Sequence, residues 1–224
     1  MISIKKSPKT NKKRLIFLKI LPIDHSMKVN KLRVFVFCPR KDCDNRLFQL
    51  AYSFWKKLWL ETYRELVGLD KINSDSFLSS YRVVCVFNDI EVVAIGLIHN
   101  FDFSNPLQKE LSYFNAFSDK SLDSIFSKYK RISSIDNIAI SPNYRKKGIV
   151  QLLFHEIYKI FIETSSDILV AYTRNNRSIN KVAYDLGASS LDKNILNHGV
   201  KTDIIFFDRN VKNKGENNGR KKAS

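Results

Sequence analysis

Residues 135–153 read IDNIAISPNYRKKGIVQLL, and this stretch decides the fold. It begins inside a predicted strand, Ile132–Ile140, which Pro142 ends, and it closes inside an amphipathic helix predicted over Gly148–Ile162. The basic turn between them can point several backbone N–H groups at one place, beside the partial positive charge of the helix N-terminus. The lack of a second glycine and of G-K-[ST] excludes a P-loop. The pattern predicts a phosphate or pyrophosphate site, with full charges from Arg145, Lys146 and Lys147.

The segments on either side of this stretch predict the rest of the fold. Apolar runs indicate strands at Lys31–Phe37, Tyr81–Phe87, Val92–His99, Ile132–Ile140, Ile168–Tyr172 and Asp203–Phe207. Helical spacing indicates helices at Leu47–Val67, in two pieces within Pro106–Ser127, at Gly148–Ile162 and at Ser178–Leu186. The strand–helix–strand unit should be a right-handed crossover between parallel strands. We therefore expect an α/β fold with a mixed, mostly antiparallel central sheet and one parallel βαβ unit.

The net charge of +16 is concentrated at the two ends of the chain. Residues 1–33 carry +9 and residues 209–224 carry +5, whereas residues 34–208 carry only +2. We expect a basic disordered tail at 1–13, a single domain at 14–209 and a second basic disordered tail at 210–224. Basic tails can bind a polyanion or an anionic membrane surface. Solvated tails explain the same composition, so a nucleic-acid partner is not favoured.

The three cysteines, Cys38, Cys43 and Cys85, argue against a disulfide framework. Their count is odd and their spacing is not that of a zinc site, so no metal is expected. Cys85 lies in an apolar run and is predicted to be a small core residue. No segment approaches the roughly 20 apolar residues that span a bilayer, and no signal-peptide cleavage site is present. These features favour a cytoplasmic protein with reduced cysteines.

The strand, turn and helix together resemble the GNAT superfamily of N-acyltransferases. The phosphate loop of that family reads Arg/Gln-x-x-Gly-x-Gly/Ala, after a strand that ends in a pattern like I-A-V-x-P-x-Y. The matching residues here are IAISPNY at 138–144, then Arg145-x-x-Gly148-x-Val150. Val150 departs from the small residue of the family and would crowd the pyrophosphate. The resemblance implies that a CoA thioester contacts Ile138, Ala139, Ile140, Arg145, Lys146, Lys147, Gly148, Ile149 and Val150.

A second stretch, residues 173–188, also resembles the family. There an Asn eleven residues before a Gly opens the following helix, and Asn176 and Gly187 have this spacing. The resemblance therefore adds Asn176 to the cofactor-binding residues. Many members carry a Tyr four residues before the Gly, where it protonates the departing CoA sulfur. Ala183 holds that position here, and Tyr184 lies one residue on, about 100° around the helix. Tyr184 is the candidate acid in this shifted position.

The reaction that the resemblance implies is direct attack of a primary amine on the thioester, without an acyl-enzyme. A backbone N–H near Ile140 would polarise the thioester carbonyl, and some base must take the proton of the amine. Asp136 is the carboxylate on this strand and the candidate base. Alternation along the strand predicts that Asp136 shares a face with Ser134, Ile138 and Ile140. In several relatives a basic Glu occupies the position of Ser134, and a purely structural carboxylate remains the alternative.

The donor and acceptor are left open by the sequence. The favoured donor is acetyl-CoA or another acyl-CoA as co-substrate, and the acceptor is a small-molecule or protein amine. The first helix, with Trp55 and Trp59 predicted in the core, and the Pro106–Ser127 segment resemble, more weakly, acyl-homoserine-lactone and N-acyl amino acid synthases. Those enzymes take acyl chains from acyl carrier protein, a donor that would also account for Val150. A non-catalytic binding module and a nucleic-acid binder that uses the basic tails are the remaining alternatives.

Overall fold

One seven-stranded sheet organises the protein in the computed structural model, which describes residues 32–89 and 91–210. The strands are β1 Leu32–Phe37, β2 Arg82–Asn88, β3 Glu91–Asp102, β4 Arg131–Ile140, β5 Ile168–Arg174, β6 Ser189–Asn197 and β7 Val200–Asp208. Their spatial order is β1-β2-β3-β4-β5-β7-β6. Strands β4 and β5 pair in parallel, and the other neighbouring pairs are antiparallel. The mixed, mostly antiparallel sheet with one parallel βαβ unit is confirmed.

The helices lie close to the predicted segments. They are α1 Pro39–Asp42, α2 Arg46–Val67, α3 Asp75–Ser79, α4 Asp119–Lys128, α5 Ile149–Glu163 and α6 Ile179–Asp185. Helix α2 begins where the Asn45 side chain accepts a hydrogen bond from the N–H of Leu47. It ends at Gly68, whose φ of 68° provides the left-handed cap expected of a glycine after the last turn.

The helices cover the sheet on two sides. Helices α5 and α6 lie on one face, where the buried side chains of α5 pack on β2, β3 and β4. On the opposite face a first apolar cluster lies beneath α2 and α3 and includes Trp55, Phe77 and Cys85. A second apolar cluster lies beneath α4 and includes Phe101, Ile125 and Ile132. The core positions predicted for Trp55 and Cys85 are thus confirmed, whereas Trp59 is only half-buried.

A β-bulge in β4 changes which side chains share a face. Ile95 of β3 lies opposite Ala139 and Leu97 lies opposite Asp136, so one residue of β3 faces two residues of β4. The extra residue is Asn137, whose φ of 52° is left-handed. Across from it, Gly96 leaves room for α5, because a Cβ there would lie 3.0 Å from Cδ1 of Ile157.

The bulge corrects the predicted face of Asp136. Ile138 and Ile140 pack on the α5 side of the sheet. Asp136 instead faces α3, where the Ser76 hydroxyl donates to its Oδ2 at 3.3 Å. Asp136 therefore shares a face with Ser134, as predicted, but not with Ile138 or Ile140. Simple alternation fails because the inserted residue shifts the side-chain pattern by one position.

Two further segments differ from the sequence-based expectation. The first part of Pro106–Ser127 forms 3-10 turns at Pro106–Glu110 and Ser112–Phe114, because extended backbone at Leu111 (ψ 139°) interrupts the helical path. Strand β6 was not predicted at all. It is an edge strand with a polar sequence, SSLDKNILN, and its pairing with β7 shifts register twice. The expectations for residues 1–13 and for the tail beyond Asn210 lie outside the described residues.

Candidate active site

The basic turn between β4 and α5 has the backbone of an anion-binding loop. After the short 3-10 turn Pro142–Tyr144, Lys146 and Gly148 both adopt left-handed backbone, with φ of 60° and 73°. Helix α5 starts directly after Gly148, and no side chain caps its first turn. The first N–H groups of a helix have no partner within the helix. Those of α5 therefore remain available to an anion, next to the positive end of the helix dipole.

The charged side chains of this turn are exposed to solvent and available to a ligand. Arg145, Lys146 and Lys147 are exposed, and Nε of Arg145 donates a hydrogen bond of 3.3 Å to the carbonyl oxygen of Ile140. Lys147 lies over the ring of Tyr144. Ile149 is buried and Val150 is half-buried against the α5-side core. The predicted phosphate-site residues are thus brought together at one turn.

Strands β4 and β5 separate next to this turn. Their parallel pairing ends where Ile135 lies opposite Ala171, although β4 continues to Ile140 and β5 to Arg174. The backbone of β4 beyond Ile135 is paired with β3 on its other side only. Backbone N–H groups that point toward β5 in this gap have no strand partner in the described sheet and are open to an extended ligand, whereas the carbonyl oxygens of Asn137 and Ile140 accept from Trp59 and Arg145. The predicted contact residues Ile138, Ala139 and Ile140 line this gap.

Asp136 lies at the mouth of the gap, on the face opposite α5. Its carboxylate accepts from the Asn137 N–H at 2.7 Å and from the Ser76 hydroxyl at 3.3 Å, and 31% of its side-chain surface is open to solvent. Nε2 of His99 lies 4.0 Å from its Oδ2. Burial raises the pKa of Asp136, and the neighbouring His99 and the hydrogen bonds only partly offset that effect. A carboxylate with a raised pKa suits proton transfer near neutral pH.

Asp136 belongs to a polar seam, defined as His99, Tyr113, Ser134 and Asp136, between the two apolar clusters on this face. Within the described residues, Nε2 of His99, Oη of Tyr113 and Oγ of Ser134 are buried and have no hydrogen-bond partner. Tyr113 and Ser134 are neighbours but are not aligned as donor and acceptor. Burial lowers the pKa of His99, although the charge of Asp136 opposes this shift. The seam is a polar recess of the kind that holds water or a polar ligand.

His99 and Tyr113 escaped prediction from the sequence. His99 ends an apolar run, but it lies directly across from Ser134 on the neighbouring antiparallel strand. Alternation along both strands would have placed His99, Ser134 and Asp136 on one face, since the bulge comes after Asp136. Tyr113 comes from the 3-10 turns and is held by the Tyr172 hydroxyl, which donates to the Tyr113 carbonyl oxygen. Such a contact leaves no trace in sequence periodicity.

Helix α2 adds aromatic side chains to the same cleft. Nε1 of Trp59 donates to the Asn137 carbonyl oxygen at 3.1 Å, so the helix is tied to the bulge. Tyr63, one turn further along, has its ring 5.6 Å from that of Trp59 and contacts His198 edge-on. The guanidinium of Arg174 lies over the Trp59 ring, 5.4 Å from its centre. Trp59 therefore lines the site, whereas the sequence predicted a core position for it.

Tyr184, the candidate acid, is held in a separate hydrogen-bond network. Its hydroxyl donates to Asp203 at 2.8 Å, and burial together with this bond raises the pKa of Tyr184 to about 12. Asp203 also accepts from the side chains of Asn175 and Asn180 and from the N–H of Asn194. Burial raises the pKa of Asp203, but these four donors outweigh it and leave the pKa lowered. The role of Tyr184 as an acid stays a prediction.

The spacing of Asn176 predicts that it opens a helix, but it does not. It lies exposed in the 3-10 turn Asn175–Arg177, and α6 begins only after Ser178, whose φ is 55°. The neighbouring Asn175 points into the Asp203 network instead. Asn176 thus sits at the end of β5, beside the gap, and its role in binding a cofactor remains a prediction.

Other parts of the described residues contribute no competing centre. A shallow groove at the opposite ends of β4 and β5 is lined by charged residues such as Lys128, Arg131 and Asp167, and it contains none of the residues above. No cluster of His, Cys, Asp or Glu in residues 32–89 and 91–210 has the make-up of a metal site. No helix within those ranges is long and apolar enough to cross a membrane.

Comparisons with known proteins identify the fold. No family model matches the sequence, and no curated protein matches it at a significant level. The CoA-dependent acyl-homoserine lactone synthase BjaI, solved with SAM and isopentyl-CoA, has a TM-score of 0.57 at 9% identity, over 79% of this chain and 83% of that chain. The structure of yncA from Salmonella typhimurium, solved with acetyl-CoA, has a TM-score of 0.52 at 10% identity, over 80% and 94%.

A third solved structure agrees with these two. NAA60 from Arabidopsis thaliana, in complex with acetyl-CoA, has a TM-score of 0.50 at 13% identity, over 80% of this chain and 99% of that chain. The gap between β4 and β5, the bulge and the basic turn before α5 all lie within the described sheet and its first crossover. The chain has the fold of the GNAT acyltransferases.

Proposed function

We propose that this protein is an N-acyltransferase that transfers an acyl group from a CoA thioester to a primary amine. The observation that carries the proposal is the gap between β4 and β5 beside the basic turn of α5. The gap offers backbone N–H groups to an extended chain such as pantetheine, and the turn offers N–H groups and three cationic side chains to a pyrophosphate. These two features lie next to each other and suit the pantetheine and the pyrophosphate of CoA.

The proposed reaction forms one C–N bond and breaks one C–S bond. The amine nitrogen attacks the thioester carbonyl carbon, and the oxyanion that develops is stabilised by a backbone N–H of β4 near the bulge. The intermediate then expels the CoA thiolate, which takes up a proton. The nitrogen loses a proton to a base, so the products are an amide and free CoA. No oxidant, reductant or acyl-enzyme is needed.

Asp136 is the proposed base. Its carboxylate is open to the cleft, its pKa is raised by burial, and His99 lies beside it. A base with a raised pKa holds the proton of the amine more firmly than an ordinary carboxylate would. Because the bulge turns Asp136 away from the α5 side, the base and the proposed pyrophosphate site lie on opposite faces of β4. The amine and the thioester can therefore approach the gap from different sides.

The donor is proposed to be an acyl-CoA, with acetyl-CoA the first to test. The carboxylates, histidines and phenols of the site do not distinguish a CoA donor from an acyl carrier protein, since both present the same phosphopantetheine thioester. The BjaI structure is that of a CoA-dependent enzyme, which supports keeping CoA as the first donor. Carrier-protein donation is then the alternative that the experiment must address.

The test is a calorimetric titration of the full chain with CoA, acetyl-CoA and decanoyl-CoA. We expect binding to at least one of them. The double variant Arg145→Ala/Lys147→Ala should weaken binding by about 1–3 kcal/mol, because charge-assisted hydrogen bonds to phosphate are lost. A matched control, Lys128→Ala/Arg131→Ala, removes the same charge at the opposite ends of β4 and β5. The control should bind like the wild type.

Turnover is followed by mass spectrometry of the amide product. Two outcomes would contradict the proposal. One is the absence of binding to any CoA thioester, and the other is equal weakening by both double variants, which would indicate unspecific attraction to a basic protein. Product formed from an acylated carrier protein but from none of the CoA thioesters would replace the proposed donor and keep the reaction.

A further inference from the structure

Arg174 is a half-buried cation that has no counter-ion among residues 32–89 and 91–210. It lies at the end of β5, and no carboxylate in the described part of the chain comes within 4.0 Å of its guanidinium. Its guanidinium makes no hydrogen bond within the described residues either, and it lies over the ring of Trp59. Burial lowers the pKa of Arg174, and the nearby Arg177 acts in the same direction. A buried charge is normally paired, so this guanidinium is available to an anion.

The position of Arg174 argues against a role in the proposed pyrophosphate site. Trp59 belongs to α2, so the stacked guanidinium lies on the face of the sheet opposite α5. The basic turn before α5 lies at the other side, where Ile149 packs into the α5-side core. An anion bound by Arg174 would therefore enter with the substrate that approaches from the α2 side.

Arg174 and Asp136 border one cleft. Trp59 connects the two residues. Its Nε1 donates to the carbonyl oxygen of Asn137, next to Asp136, and its ring lies under the guanidinium of Arg174. Both charges act on Tyr63, next to Trp59 on α2: burial and Asp136 raise the pKa of Tyr63, and Arg174 opposes this shift. A ligand in this cleft meets a proton acceptor at one end and a fixed cation at the other.

We propose that the acceptor is an amino acid or a related molecule that carries a carboxylate close to its amine. The carboxylate binds the fork of the Arg174 guanidinium, above Trp59, and the amine lies beside Asp136. This inference rests on the proposed function and specifies its acceptor class. The guanidinium fork suits a carboxylate because two parallel N–H donors match its two oxygens. The buried polar atoms of the seam, on His99, Tyr113 and Ser134, can bond the remaining polar groups of the acceptor.

The experiment compares free L-amino acids with the same amino acids as α-carboxamides. The two series share the amine and side chain and differ only in the anionic group. Full-length protein is incubated with acetyl-CoA or decanoyl-CoA, and the amide product is quantified by mass spectrometry. We expect a free amino acid to be acylated with a kcat/KM about 10- to 100-fold above its carboxamide, since a charge-assisted hydrogen bond is lost.

Variants of Arg174 test whether this residue binds the carboxylate of the acceptor. Arg174→Ala should raise KM for the free amino acid about 10- to 100-fold and leave that for the carboxamide unchanged. Arg174→Lys should restore part of the loss, because it keeps the charge without the fork. The matched control is Arg64→Ala on α2, which removes an exposed arginine paired with Asp70. That variant should behave like the wild type.

Three results would overturn the inference. Equal use of acids and carboxamides by the wild type would show that no anion is recognised. A loss of CoA affinity in Arg174→Ala, with the acid preference intact, would assign the guanidinium to a donor phosphate. Acylation of neither series, with thioester binding or turnover of simple amines retained, would reject this acceptor class and leave the proposed function standing. Failure of thioester binding itself would instead remove the proposed function.

Discussion

At the scale of single residues, a substitution of Asp136 tests the proposed chemistry most directly. Asp136→Asn should lower kcat by about 10²–10⁴-fold and leave CoA affinity near that of the wild type. The wild-type rate should fall as the pH falls through the raised pKa of Asp136, because only the carboxylate accepts a proton. The variant should lack this acidic limb. Superimposable pH–rate profiles of the two proteins would reject the role of base.

The raised pKa of Asp136 also has a consequence for stability. The folded carboxyl keeps its proton to a higher pH than the unfolded one, whose pKa is about 3.9. The folded state binds more protons in the window between these two pKa values, so stability falls as the pH rises through it. Asp136→Asn should therefore flatten the dependence of Tm on pH above about pH 4 and should not lower Tm at pH 7. Thermal unfolding of both proteins across this range gives the answer.

Tyr184 is a residue with two possible roles, which separate in a matched pair of variants. Tyr184→Phe should cost about 1 kcal/mol of unfolding free energy, because Asp203 loses one donor. If Tyr184 protonates the sulfur, kcat should also fall by about 10²-fold or more. Asn180→Ala removes another donor from the same carboxylate, at 3.2 Å, without touching the phenol. Identical kinetics in the two variants would limit Tyr184 to holding Asp203.

At the scale of elements, the strand–turn–helix unit was predictable because each part has its own signal. The apolar run of β4, Pro142, the lone Gly148 and the amphipathic pattern of α5 agree with one another, and the parallel pairing with β5 follows from the crossover rule. The bulge at Asn137 was not predictable, since it depends on the pairing partner and not on the strand alone. Strand β6 was also missed. It lies at the edge of the sheet and has a polar sequence, so it lacks the apolar run that indicates a strand.

The start of α5 can be probed through its glycine. Gly148→Val should weaken CoA binding by about 1–3 kcal/mol, because a side chain blocks the approach of the pyrophosphate to the backbone. The same change strains the backbone, since φ is 73° at this position. Gly68→Val provides the control, because Gly68 has a φ of 68° at the end of α2 and lies away from the gap. Both variants should lose stability, measured by urea unfolding, but only Gly148→Val should lose CoA affinity.

At the scale of the whole molecule, most of the net positive charge lies outside the segment that forms the described sheet and helices. The described sheet and helices fall almost entirely within residues 34–208, which carry only +2 of the total of +16. The C-terminal segment 211–224 contains almost no apolar residue that could be buried. Its deletion should therefore leave Tm within about 1–2 °C of the wild-type value. A fall of many degrees in a calorimetric scan would show that this segment stabilises the domain.

The overall fold could be predicted from the sequence, whereas the acceptor side of the site could not. The predicted phosphate loop depends on residues adjacent in the chain, so a short stretch suffices to indicate it. The acceptor side brings together Trp59 from α2, His99 from β3, Tyr113 from the 3-10 turns, Asp136 from β4 and Arg174 from β5. Contacts between residues so far apart in sequence follow from packing, which no local pattern encodes.

The bulge at Asn137 has a consequence for how this gene can change over evolutionary time. Before it, β4 directs Asp136 toward α3, and after it Ile138 faces α5, as two adjacent residues of a regular strand would. Replacement of Asn137 by another residue that tolerates left-handed backbone would keep this arrangement. Loss of the Asn137 codon would make Asp136 and Ile138 adjacent residues of a regular strand, and alternation would still direct them to opposite faces. Descendants of this sequence can therefore vary in residue type at the bulge, or lose the extra residue, without turning either half of the strand over.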